Sequence, residues 1–150
     1  MHRTKAALMM ALLGALLFTA FVLQDVRSHP QIAPGDLPWD LIIRYAVAMT
    51  LGGALAGFVF SGLFGRQGIS GWPLSLLSGL IAAALSGLIG SAIGLLPDLS
   101  SDGVTTGEII QMAAGLLVLP LSIAEQPWLA IPVAGLLVAT HLWCRAARQA

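Results

Sequence analysis

Two long apolar runs, 41–64 and 74–96, flank a short polar turn, Gly65-Arg66-Gln67-Gly68-Ile69-Ser70-Gly71, and both runs carry a small residue at every fourth position. The first has Gly53, Gly57, Ser61 and, at its end, Gly65. The second has Ser75, Gly79, Ala83, Gly87 and Ser91, with a neighbouring row at Ser78, Ala82, Ser86, Gly90 and Gly94. A spacing of four keeps residues on one face of an α-helix. Each run is long enough, at 1.5 Å per residue, to cross a hydrocarbon core of about 30 Å. Lipid tails are as apolar as leucine, so helices among them associate by close contact and dispersion rather than by hiding apolar surface. Small residues permit that contact. The stretch therefore reads as a hairpin of membrane-spanning helices, with Gly53, Gly57, Ser61, Gly79, Ala83, Gly87 and Ser91 as its packing residues.

The remaining composition agrees. Hydrophobic residues make up 57% of the 150 and charged residues 9%. Soluble domains carry about 25% charged residues, so this chain has too few to coat a water-soluble globule. Seventeen glycines and the lack of polar–apolar alternation favour helices over a membrane β-barrel. The single cysteine, Cys144, excludes an internal disulfide framework and a multi-cysteine zinc site. A net charge of zero gives no bulk attraction to nucleic acid.

Three further segments are apolar. Residues 6–23 come after a basic start, His2, Arg3 and Lys5. A cleaved signal peptide shares those features. Phe18-Thr19-Ala20 puts a bulky residue where cleavage needs a small one, so the segment reads as a retained anchor. The loop 24–40 contains three prolines; Asp40 is placed to cap the second span and Trp39 to sit at headgroup level. Leu96-Pro97-Asp98 reads as the end of the third span, and Thr105 or Thr106 as the cap of the next helix. Residues 128–144 form another apolar run between Trp128 and Trp143. Between them, 109–124 is apolar but broken by Gln111 and Pro120, and Glu125-Gln126-Pro127 interrupts it. One straight helix over 109–144 would measure about 54 Å, too long for a bilayer, and would bury Glu125 near its centre.

Charge placement arbitrates. Four crossings, at 6–23, 41–64, 74–96 and 128–144, put Arg3, Lys5, Arg66, Arg145 and Arg148 on one side. Arg27, Arg44 and all seven acids fall on the other. The segment 108–126 then enters the membrane from the acidic face and returns, kinked at Pro120. Five crossings are the alternative, and would strand Arg145 and Arg148 on the acidic side. The expected fold class is an all-α integral membrane protein in a single domain: a compact bundle of four transmembrane helices plus a short membrane-associated or re-entrant helix. The N-terminus is expected in the cytoplasm and the setting in a bacterial inner membrane.

Few residues carry chemistry. Glu125, Glu108 and Gln111 mark the segment expected to re-enter, and ionisable groups at membrane depth are functional candidates by default. The ordinary reading is a tight surface turn. His141 lies near the end of the last run, where an imidazole can ligate a haem or simply reach water. The acids Asp25, Asp36, Asp40, Asp98, Asp102, Glu108 and Glu125, with His29, could gather as a cation mouth or merely solvate one face. Ligand spacing of the His-x-x-x-His kind is absent, as are a phosphate-binding glycine loop and a Ser/His/Asp set. No cofactor, metal or enzymatic activity is expected. Two faces of small residues on 74–96 exceed what one neighbour needs. They point to an accessory or scaffold subunit whose partners are the bilayer and another membrane subunit or a second copy. A small transporter subunit or oligomeric channel is the alternative.

Overall fold

Six α-helices make up most of the chain in a computed structural model that describes residues 2–29, 31, 33–68 and 70–149, with no strand among them. They are α1 (His2–Ser28), α2 (Trp39–Phe60), α3 (Gly71–Asp102), α4 (Thr106–Ala114), α5 (Val118–Glu125) and α6 (Ala130–Gln149). Three stretches of 3-10 turn, Pro34–Asp36, Gly115–Leu117 and Pro127–Leu129, punctuate them. Five stretches are long and apolar enough to cross a membrane: His2–Ser28, Trp39–Phe60, Gly71–Pro97, Thr106–Glu125 and Pro127–Gln149. Their outward faces carry large apolar side chains such as Leu12, Ile43, Leu51, Val59, Leu76 and Ile131, all exposed.

Several boundaries differ from expectation. The first helix extends to Ser28, so the loop is shorter than 24–40. Asp40 does not cap α2: it lies inside the first turn, and the cap position is Pro38, with no side-chain hydrogen bond. Its charge still suits the positive end of the helix dipole. Pro97 does not end α3, which continues to Asp102. A proline forfeits only its own bond to the carbonyl four residues back. The stop falls at Gly103, whose φ of +77° is a left-handed conformation that glycine adopts without steric cost.

The helices run alternately. Gly57 of α2 sits on Ala6 of α1, Gly53 on Met10, and Gly14 of α1 on Met49, so α1 and α2 are antiparallel. Gly94 of α3 lies against Tyr45 and Gly90 against Met49, so α3 is antiparallel to α2. α4 then runs back along α3 until the backbone of Gly115 meets that of Gly87. Here the helix breaks. Pro120 has no N–H to offer the Leu116 carbonyl, and its ring crowds that carbonyl; the turn Gly115–Leu117 tightens to 3-10 geometry in front of it. α5 leads to Glu125 and Gln126, which bond to Gln24 near the end of α1. Both ends of 106–125 therefore lie where α1 and α3 finish. α6 returns to the other end, where Leu137 covers Gly79, His141 faces Trp72, and Arg148 reaches the Ser61 and Gly62 carbonyls.

α3 is the hub. Its row Ser78, Ala82, Ser86, Gly90 and Gly94 faces α2: Ser86 donates to the Met49 carbonyl at 3.3 Å, and Gly52 packs on Ser86 and Gly90. Its other row is used by the same chain, with Gly79 under Leu137 and Gly87 and Ser91 under Gly115. Surplus small residues on α3 thus have intramolecular neighbours where a partner subunit was expected. The first small-residue row also turns elsewhere than expected: Gly53 and Gly57 of α2 face α1, and Gly65, in the turn beyond α2, faces Cys144 and Arg145 of α6 rather than α3.

A methyl group on Gly87 would collide with the Gly115 carbonyl, a backbone atom that cannot swing aside. Gly87→Ala is expected to cost about 1–3 kcal/mol by overpacking. Gly135 is also helical but has nothing within 4 Å of the added carbon, so Gly135→Ala should gain about 0.5–1 kcal/mol from helix propensity. Thermal unfolding of the two variants in one detergent checks the contrast; equal shifts would contradict it.

Candidate functional site

Among the described residues, a gathering of side-chain hydrogen bonds between distant parts of the chain lies where α1, α5 and the turn Pro127–Leu129 meet. Gln24 donates through Nε2 to Glu125 Oε2 at 2.7 Å. Gln126 donates through Nε2 to the Ala20 carbonyl at 3.2 Å and to Gln24 Oε1. Gln24 thus accepts with its carbonyl and donates with its amide, which uses both ends of the group. With Arg27, Ser28, Pro127 and Trp128, these three line a cavity of about 330 Å³. The local sequence explains the placement. Gln24 opens the polar end of α1, and Pro127 stops α5 so that Gln126 leaves helical geometry, with φ −131° and ψ 79°. The cluster offers a carboxylate, amides and a guanidinium at the end of a helical bundle. That set can orient a polar or charged group by hydrogen bonds. It contains no nucleophile paired with a base.

The other expected residues fall apart from it. Glu108 is held in a capping box: its backbone N–H donates to Thr105 Oγ1 at 3.4 Å, and its Oε2 accepts from the Thr105 N–H at 2.6 Å. The Thr105 cap agrees with the sequence reading, and it gives Glu108 a structural role. Gln111 is exposed on α4. His141 is at the opposite end, 1% exposed and stacked on Trp72 with ring centroids 4.4 Å apart. It does not reach water as a residue near an interface ordinarily would, because α3 covers it. Among the packing residues Ser61, Ala83 and Gly53 are buried in seams. Cys144 is fully buried, with Sγ 3.6 Å from the His2 carbonyl.

Charge is shared unevenly between the two ends, with Arg27 and Arg44 at the acidic one. Arg3, Lys5, Arg66, Arg145 and Arg148 belong to the end where α1 and α3 begin. Two of these cations lie over aromatic rings, Arg3 over Phe58 at 5.8 Å and Lys5 over Trp143 at 5.2 Å. Asp25, Asp36, Asp40, Glu108 and Glu125 belong to the other end, and so do the backbones of Asp98 and Asp102, whose side chains lie outside those described. The acids whose side chains are described are not drawn into one cation mouth. Asp25 pairs with His29 at 3.4 Å within one helical turn. Among the described residues no group of three or more His, Cys, Asp or Glu could hold a metal.

Neither the protein-family models nor the curated proteins nor the solved structures include a match to this chain. Its class therefore rests on the fold: an all-helical bundle with five helices long and apolar enough to span a membrane.

The Gln24–Gln126 pair was not legible in the sequence. The two are 102 residues apart, and the one available signal is that each sits just past an apolar run. Gln24→Ala and Gln126→Ala should each cost about 0.5–1.5 kcal/mol. The double variant should cost less than the sum, because both singles delete the same bond. Strict additivity in thermal unfolding would show the two amides to be independent.

Proposed function

We propose that this chain is an integral membrane protein with four crossings, formed by α1, α2, α3 and α6, and with 106–125 as a re-entrant element. The support is the return of 106–125 to its starting end: Gln126 is tied to Ala20 and Gln24, near the end of α1 that adjoins the end of α3. Length and apolarity alone would make that stretch a fifth span. The broken helix at Gly115–Leu117 and the tether at Gln126 favour a dip instead. Non-helical backbone is tolerated at membrane depth where protein covers it, and Gly115 is buried against Gly87. The five bases at one end then lie in the cytoplasm by the positive-inside bias, as in a bacterial inner membrane.

Within that setting, the reading best supported is a small accessory or scaffold subunit that seats a helix of a larger membrane protein. The observation that carries it is the bare flank of the re-entrant element. Within its most apolar 18 residues only 17% of the 106–125 stretch is buried, against 33–44% for the same length of the other four. Beside it lies an apolar groove of about 530 Å³ lined by Leu80, Ala84, Leu116, Leu119, Pro120, Ile123 and Ala124. A neighbouring helix in that groove would brace the break at Pro120. A transporter subunit or an oligomeric channel is the second reading. It is favoured by the same broken helix together with the Gln24, Glu125 and Gln126 cluster at its mouth, since interrupted helices line substrate paths in transporters.

Two experiments test these readings. In a Cys144→Ser background, single cysteines at Val104 and Pro127 should be labelled from the same side of the membrane, opposite to one at Gln67. Labelling of Val104 and Pro127 from opposite sides would establish five crossings instead. For the partner, purification from native membranes should yield a larger membrane protein in fixed stoichiometry, lost in Ala84→Trp, which fills the groove, without loss of the bundle itself. A ring of this chain alone would favour the channel.

A further inference from the structure

The seam between α3 and α6 holds an unpaired polar set that the accessory-subunit reading does not use. Ser75 is 3% exposed and His141 is 1% exposed. Ser75 Oγ and both ring nitrogens of His141 are buried and make no hydrogen bond. Both residues line one cavity of about 30 Å³, with Trp72, Leu76, Leu137 and Val138 as its other walls. Trp72 stacks on the imidazole at 4.4 Å and an interplanar angle of 34°. Buried polar atoms are nearly always satisfied, and an orphan forfeits its bonds to water with nothing in return. Three such atoms on two residues that line one small pocket call for a guest.

From this geometry we infer that Ser75 and His141 bind one small hydroxyl-type oxygen. Size sets the first limit: the pocket, open on one side, has room within it for about one or two waters, or one lipid hydroxyl. Hydrogen-bond chemistry sets the second. A neutral imidazole presents one donor and one acceptor, and serine can act as either. A carbonyl guest can only accept, so it cannot serve the unprotonated ring nitrogen. A cation is disfavoured, since the lining holds no carboxylate or thiolate. A hydroxyl oxygen can accept from Ser75 and donate to the unprotonated ring nitrogen; the two ring nitrogens point to opposite sides, so it serves that one nitrogen and the serine. Its source is water or the hydroxyl of a lipid at the headgroup level where Trp72 sits. Only the lipid source depends on the membrane reading. The guest would pin α3 to α6 one turn beyond the contact of Gly79 with Leu137, by a bridge that can exchange.

The test is histidine-labelled ¹⁵N NMR of the full chain, with His141 assigned by His141→Phe, first in lipid-free detergent and then in lipid nanodiscs. Expected is one protonated ring nitrogen and one hydrogen-bonded acceptor, with the acceptor signal shifting toward that of a free imidazole nitrogen in Ser75→Ala. Magnetisation transfer to the ring from water in detergent identifies water as the guest. Transfer only from lipid hydroxyl protons in nanodiscs identifies a lipid. No transfer in either medium, or ring signals indifferent to Ser75→Ala, overturns the proposal. His141→Phe, which keeps a ring against Trp72, should lower the unfolding midpoint by about 2–6 °C if a guest is bound. An unchanged or raised midpoint would mean a dry site where losing the orphans helps, and would overturn it too. Should that variant fail to fold, the wild-type and Ser75→Ala spectra decide.

Discussion

Close approach of backbones along α3 is the constraint on which the rest of this structure depends. In a lipid setting there is little to gain by hiding leucines from other leucines, so stability must come from dispersion at short range and from the few hydrogen bonds that short range permits. Gly87 under Gly115, Gly52 against Ser86 and Gly90, and the Ser86 hydroxyl on the Met49 carbonyl all need side chains of almost no size. The same demand explains how a helix interrupted at Pro120 can lie at mid-bundle: glycine on both sides lets the turn sink until its backbone touches α3. Replace the small rows by leucine, and α2 and the 106–125 element could not both reach the hub.

A second regularity lies in where the chain places its charge. The middles of the long helices are almost empty of it; one end holds five bases, and the other holds the acids together with Arg27 and Arg44. At the basic end, Arg148 and Arg66 cap the carbonyls that α2 leaves free at Ser61 and Gly62. Cations suit a helix C-terminus, so these two arginines help to close α2. At the acidic end the amides of Gln24 and Gln126 play the corresponding part, tying α1 to the start of α6. The bundle is thus laced at both ends by side chain to backbone bonds and packed through the middle by small residues.

Much of this is legible in the sequence. The apolar lengths, the small-residue rows, the kink at Pro120 and the Thr105 cap are local features, and local features are what a sequence displays. Which row meets which helix is not local. Gly53 and Gly57 advertise a groove without naming its occupant, and α1 fills it instead of α3. Pro97 looks like a terminator, but proline removes only one bond, and the terminator is Gly103. Asp40 looks like a cap, and the chain enters α2 too early for it to serve. His141 and Ser75 give no joint signal: a lone histidine and a distant serine become neighbours only when α6 folds back along α3.

The most direct test is magic-angle-spinning NMR of the protein reconstituted in lipid bilayers, read for through-space contacts between backbone α-protons. The account predicts cross-peaks between Gly87 and Gly115, between Gly52 and Gly90, and between Gly53 and Met10. A folded, helical protein in the bilayer that lacks these contacts would contradict it.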